Sequence, residues 1–458
     1  MNTYKALLAA LLVPLGATLA VAPAVFAANP PAPAAAAASA DAAAFGSPEA
    51  ALGRVAHPLR TTEPRGSLVD LRPLGRMVGD ARVVGLGEAT HSSHEFFTVK
   101  HRVFRYLVEE KGFRAFALEA PWSTGLRLDA YLLRGEGDLK QIMDEEFQGT
   151  YRFWNNAEYR DLLQWMRAYN VKHPKDPVRF VGDDGGFAGA ELYDKVNAYA
   201  AAARPELAPR LTELYRGLRP ATDAETYVND YLSKPMAERK ELAERTGRAV
   251  DLLKQRPGTG ADADAHAWAL QHATAIHQMT TLFAFDDGPQ GTTDMMLYRD
   301  RIMAENVAWW QQRTGDKILL AAHNGHIALK TYAPGSYPKV QGDFLREQLG
   351  GGYLSVGLTF DRGSFNALGQ DGGVHRFTVG PAAPGTAEHT LDRVRYRDFV
   401  VDLRNTPAAA RDWLAAPHTV KNIGATYPGI VDAPQIRLAE SHDVVIHLQR
   451  VEAARMLK

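Results

Sequence analysis

Residues 83–120 read VVGLGEATHSSHEFFTVKHRVFRYLVEEKGFRAFALEA. The apolar run Val83, Val84, Leu86 has Gly85 and Gly87 set between its members and stops at Glu88, Thr90 and His91. Phe96, Val99, Val103 and Leu107 follow with helical spacing, and the chain turns at Gly112 into a second apolar run, Ala115 to Leu118, that stops at Glu119. Strand, polar tip, helix, strand, polar tip is the pattern of a parallel βαβ unit. Ligands in open α/β sheets bind outside the carboxyl ends of the strands. Glu88, His91 and Glu119 are therefore expected to face one crevice.

Working outward, the pattern repeats. Val178 to Val181 reads as a third buried strand and ends in Gly182-Asp183-Asp184, and Lys317 to Ala321 reads as a fourth and ends in Ala322-His323-Asn324-Gly325-His326. Later runs over 353–360, 376–379, 399–403 and 444–448 have strand character. Between the third and fourth strands the chain is helical in composition, with no strand and no repeat period. The expected class is α/β: a mixed, largely parallel sheet flanked by helices, with a large all-helical insertion. The expected division is a signal peptide over 1–27, a Pro/Ala-rich leader over 28–55, the first part of the α/β core over 56–186, the helical insertion over 187–313, and the second part of the core over 314–458.

Composition narrows the function. The chain has 458 residues, 46% of them hydrophobic, a net charge of −1 and no Cys. That is length enough for a large core, since domains run to roughly 100–200 residues. Balanced charge without a basic stripe speaks against a nucleic-acid partner. Without Cys there are no disulfides, no thiolate metal sites and no acylated Cys to anchor the chain. Lys5, the apolar run Ala6 to Ala22 and the small-x-small triplet Val25-Phe26-Ala27 form a secretory signal. Pro14 and Gly16 interrupt that run, which falls short of the ~20 residues a membrane span needs. A secreted or periplasmic protein without a stable membrane anchor is expected.

Four strand tips carry carboxylates and imidazoles: Glu88 with His91, Glu119, Asp183 with Asp184, and His323 with His326. A carboxylate after a strand is often the N-cap of the next helix, and Asp184 fits that as well. Parallel strands nevertheless set all four tips on one edge. The loop Phe153-Trp154-Asn155-Asn156 has the aromatic and polar composition of a pocket wall, and Arg299 is placed to return a guanidinium to the site, where it can stabilise an oxyanion. The candidate set is thus His91, Glu88, Glu119, His323 and His326 for catalysis, with Arg299, Trp154 and Asp184 for substrate or oxyanion binding. No Gly-x-Ser-x-Gly elbow, no His-Glu-x-x-His zinc motif and no full dinucleotide fingerprint is present. Two mechanisms remain open on the residues alone. His91 is a general base for water, oriented by a carboxylate, or the cluster holds a divalent metal that activates water. A binding protein that sequesters a ligand in the same crevice is the alternative from another class.

Taken together these residues resemble the erythromycin esterase family. Gly87-Glu88-Ala89-Thr90-His91 is similar to its Gly-Glu-x-(Thr/Ser)-His motif, Phe116-Ala117-Leu118-Glu119 to its second acidic strand, and Phe180-Val181-Gly182-Asp183-Asp184 to its next strand. Arg299-Asp300 with Met303-Ala304, and Ala322-His323-Asn324-Gly325-His326, resemble its later blocks. Gln341-Gly342 stands where members often carry Met-Gly. The resemblance implies a cofactor-free hydrolase whose partner is a small-molecule ester and which opens a macrolactone with water. His91 would be the base, Glu88 and Glu119 would position it or the water, and His323, His326 and Arg299 would complete the pocket. Metal-independent catalysis is the expectation, since a fixed guanidinium competes with a cation at short range.

The N-terminal pattern is directly testable. Sequencing of the secreted or periplasmic protein should start near Ala28. Membrane-bound protein that retains Met1 would contradict the export expectation.

Overall fold

The structure, a computed structural model, describes residues 46–429 and 432–457. The signal expected over 1–27 and the leader as far as residue 45 lie outside the described residues. The leader expected over 28–55 ends earlier than that boundary. Pro48–Val55 is a helix (α1), started by Ser47, whose side chain accepts from Ala50 N, and by Pro48 in its first turn. Ala51 and Leu52 are fully buried in a cluster with Val401 and Leu414. The Ala-rich composition concealed one short apolar face.

The strands in chain order are β1 (His57–Pro58), β2 (Val83–Leu86), β3 (Phe113–Pro121), β4 (Arg179–Asp184), β5 (Lys317–Ala321), β6 (Tyr353–Leu368), β7 (Val374–Val379), β8 (Phe399–Asp402), β9 (His418–Thr419), β10 (Gln435–Ile436) and β11 (Val444–Val451). The main sheet runs β1-β8-β11-β6-β2-β5-β3-β4, with β7 on the extension of β6, and β9 pairs with β10 separately. From β11 to β4 the strands are parallel, and the β8 and β1 edge is antiparallel. This is the mixed, mostly parallel sheet of an α/β fold. β6 runs well past Phe360, where Asp361-Arg362 interrupts the apolar pattern, and pairs as a hairpin with β7.

Strand register decides what meets at the edge. Val356, Leu86, Ala321, Leu118 and Gly182 lie in one transverse row. Glu88, Glu119, Asp183, Asp184 and His323 follow their row members by one or two positions, and His91 and His326 follow theirs by five. Alternation sorts the two faces. Val84, Leu86, Phe116, Leu118 and Leu319 belong to one core cluster, and Val83, Ala115, Ala117, Ile318 and Leu320 to the other. Burial on both faces explains why these runs read as nearly continuous apolar stretches.

Helices cover the first face. They are His94–Lys111 (α2), ended by Gly112 in the left-handed region at φ 72°, and Ala157–Lys172 (α3), capped by Asn156. Phe96, Val99, Val103 and Leu107 of α2 and Leu162, Leu163 and Met166 of α3 enter that core. The second face is covered by the long helical stretch, which includes Ala263–Leu282 (α4) and Pro289–Thr314 (α5). Ile276, Met279, Val307 and Trp310 share one core with that face. The expected insertion is therefore the second layer of the sheet, and α5 brings Arg299 and Asp300 back to the strand tips. No helix among the described residues is long and apolar enough to cross a membrane.

Gly87 shows why the tip needs glycine. A Cβ there would overlap Asn324 Oδ1. Asn324 donates to Leu358 O at 2.7 Å and accepts from Leu358 N at 3.0 Å, and its own N donates to Glu88 O at 2.9 Å. It stitches the β5 tip to the β2 and β6 tips. Gly87→Ala should lower stability by about 1–3 kcal/mol through overpacking. Urea midpoints are the measurement. Combined with Asn324→Ala, the loss should be smaller than the sum of the single losses, because both act on one contact.

Candidate active site

The strand tips assemble two linked groups of charges. In the first, His91 Nδ1 lies 3.0 Å from Glu88 Oε1, and Glu88 Oε2 takes the Lys100 ammonium. Glu88 and Lys100 are fully buried and His91 is 2% exposed. The bond to Glu88 fixes the tautomer with the proton on Nδ1 and leaves Nε2 as the basic nitrogen. The His91 ring is boxed by Phe153, stacked at 6.5 Å, Trp154, edge-on at 5.4 Å, and His323 at 4.8 Å between centroids.

In the second group Glu119 is central. Its Oε1 accepts from Arg299 Nη2 at 2.9 Å and its Oε2 from His323 N at 3.2 Å. Burial alone would raise its pKa, but the His326 and Arg299 cations reverse that and hold it well below the usual carboxylate range. Arg299 also clamps Asp184, Nη2 to Oδ2 at 2.5 Å, and Asp184 further accepts from Tyr151 at 2.9 Å and Gly185 N at 2.7 Å. Asp183 differs from its neighbour. Burial raises its pKa well above the ordinary value despite a hydrogen bond from Gln341.

His326 is held by Asp300, Nδ1 to Oδ1 at 2.8 Å, and Asp300 also accepts from Gln341 N at 2.7 Å and from the Tyr337 hydroxyl. Its Nε2 lies 3.3 Å from both Glu119 Oε1 and Arg299 Nη1. Burial would lower its pKa, but Asp300 and Glu119 outweigh burial and raise it to about 10. The Nε2 proton therefore goes to the carboxylate, and the Arg299 contact is two cations sharing Glu119 rather than a hydrogen bond. His323 is the opposite case. Burial, first of all, lowers its pKa well below the ordinary value, and its ring nitrogens serve Ile423 O at 3.2 Å and Gly325 N at 3.3 Å. It is a neutral cap of the short helix Asn324–Ile327.

All eight candidate residues thus come together at the strand tips. Trp154 gives its only N–H to Glu119 O at 2.8 Å, and Asp184 offers only acceptors, so neither supplies an oxyanion donor in this arrangement. Arg299 holds two carboxylates. Lys100, Asp300, Tyr151, Tyr337 and Gln341 were missed. Lys100 had a signal: it sits beside Val99 on the apolar face of α2, where a solvated lysine does not belong. The others are set by long-range packing alone. Among the described residues no group of three His, Asp or Glu side chains is arranged to hold a metal ion.

Known proteins carry the same architecture. The family model described as erythromycin esterase matches residues 108–451. That range contains Glu119, Trp154, Asp184, Arg299, His323 and His326; Glu88 and His91 lie upstream of it. An Escherichia coli erythromycin esterase type II is 25% identical over 68% of this chain and 76% of its own length. A Bacillus cereus protein of known structure is 32% identical, with a TM-score of 0.82, over 90% of this chain and 98% of its own. A mutant erythromycin esterase in its open conformation shares the fold at a TM-score of 0.68 and 17% identity, over 88% of this chain and 98% of its own.

The raised His326 value has a sign. An unfolded histidine loses its proton near ~6.5, whereas His326 keeps it to about 10. Its stabilisation is complete below the unfolded value and is lost as pH rises through the folded one. His94, raised to about 9 chiefly by Glu158, acts in the same direction. In a His94→Gln background, Tm should fall between pH 6.5 and 10, and adding His326→Gln should flatten that slope. An unchanged slope would show that His326 is not charged in the fold.

Proposed function

The chain belongs to the erythromycin esterase family, and on that premise we propose that it hydrolyses carboxylic esters by direct attack of water, with His91 as general base. The observation that carries this is the Lys100–Glu88–His91 line, which orients one imidazole nitrogen and leaves Nε2 free of any hydrogen bond among the described residues. The neighbouring hydroxyls do not offer a nucleophile. Ser93 bonds Thr90 at 2.7 Å and Ser92 accepts from Asn366 at 3.0 Å; neither bonds His91. In the proposed step Nε2 takes a proton as the water oxygen bonds the ester carbon. The tetrahedral oxyanion collapses, and the departing alkoxide recovers the proton from His91, leaving a hydroxy acid when the ester is a lactone. The oxyanion is proposed to form beside the His326 and Arg299 cations, which share three carboxylates.

A macrolactone is the proposed substrate and the periplasm or exterior the proposed location, the latter resting on residues 1–27. We propose metal independence because Glu88, Glu119 and Asp184 already carry protein cations. The test is mass spectrometry after incubation with a panel of macrolides and simple esters in ¹⁸O water. The expected outcome is a product carboxylate labelled in a single turnover, no acyl-enzyme, an unchanged rate after chelation, and a rate about 10²–10⁴-fold lower for folded His91→Ala. A trapped acyl group on Ser92 or Ser93, or near-native turnover by His91→Ala, would overturn the mechanism. Retention of an intact macrolide would favour a binding protein instead.

A further inference from the structure

The chain leaves β11 as an extended segment, Glu452–Leu457, that crosses two loops in turn. On the first, His94 N donates to Glu452 O at 2.7 Å and Ala454 N to Ser92 O at 3.2 Å. On the second, Ala157 N donates to Arg455 O at 2.8 Å and Leu457 N to Asn155 O at 2.9 Å. Isolated bridges pair Ser93 with Ala453 and Asn156 with Met456. The first loop, between β2 and α2, contains His91. The second follows Trp154, whose indole lies edge-on to the His91 ring. One tail therefore ties the base to the aromatic wall against which it packs.

The two attachments meet at a side chain. Glu158 is 3% exposed and accepts from His94 Nδ1 at 2.6 Å and from Arg455 Nε at 3.0 Å. His94 opens the helix that follows the first loop, Glu158 lies in the first turn of the helix that follows the second, and Arg455 belongs to the tail. Asn366 adds a link from the hairpin, donating to Ala454 O at 2.9 Å and to Ser92 Oγ at 3.0 Å.

We infer that residues 452–457 are a strap that positions His91, with Glu158, His94 and Arg455 as its joint. The inference rests on the proposed role of His91 as base. None of these groups touches the reacting atoms; each is a positioning residue. A catalytic group misplaced by about 1 Å can cost 10²-fold in rate, so the strap should be read in kcat rather than in KM.

The experiment uses the full chain and four variants: deletion of 452–458, Arg455→Ala, Arg455→Lys and Glu158→Gln. Each is assayed on the best ester from the macrolide and simple-ester panel. Each is also examined by NMR with ¹³C-histidine labelling, in which the His91 ring protons report their position relative to Trp154. Arg455→Ala and Glu158→Gln should lower kcat by about tenfold and the deletion by up to about 100-fold, with KM nearly constant. Arg455→Lys should retain most activity, and the His91 resonances should move in every impaired variant. If the deletion fails to fold, the point variants decide. Folded Arg455→Ala and Glu158→Gln proteins with native kcat and unmoved His91 resonances would overturn the strap. So would an equal fall in rate when the same changes are made in His91→Ala, since the strap would then act elsewhere. If no ester in the panel is turned over, the esterase reading fails, and the NMR arm still decides the strap.

Discussion

A carboxylate with no access to water has to be met by cations, and Glu119 is such a carboxylate. Leaving one buried charge of such a pair without its partner costs about 3–5 kcal/mol. Arg299 comes to it from a sequence separation of 180 and His323 N from 204. The long helix α5 must therefore lie back across the sheet edge. This is why the helical stretch between β4 and β5 is a layer of the same core and not an appended domain. The same return delivers Asp300, which orients His326.

The charges are divided in a way that suits hydrolysis. The Lys100, Glu88 and His91 line ends in a nitrogen able to take a proton. The Arg299, His326, Glu119, Asp184 and Asp300 group sets two cations among three carboxylates, all rigidly held. Between them stands His323, neutral, its ring against His91. Asp183, next to Asp184 and as deeply buried, has its pKa raised by burial and by the Asp184 and Glu119 charges, while Arg299 binds its neighbour. Two adjacent aspartates thus differ in their partners, which neither has in sequence.

The legible parts of the site were those with a local signature. Glu88, His91, Glu119, Asp184, His323 and His326 each follow an apolar run, and a parallel sheet puts the ends of such runs on one edge. Lys100 was legible in principle as a cation on an apolar helix face. Asp300, Tyr151, Tyr337 and Gln341 were not, because their places depend on which helix crosses which strand. The bonds that Trp154 and Asp184 make inside the fold were not legible either, for a related reason. A side chain's type shows what it can bond, but not which neighbour reaches it first.

The sequence by itself determined the parallel strands, their polar tips, the helical stretch between the third and fourth of them, and the residue types that share the edge. Period-two and helical spacing are local properties, and the parallel rule converts them into position. Tertiary structure alone decided the charge states and the partners. Burial raises the cost of every unpaired charge, so the pKa shifts of Asp183, His323 and His326 follow from the neighbours that distant segments brought to them. It also decided the short helix at Pro48–Val55, whose apolar face has meaning only against Val401 and Leu414.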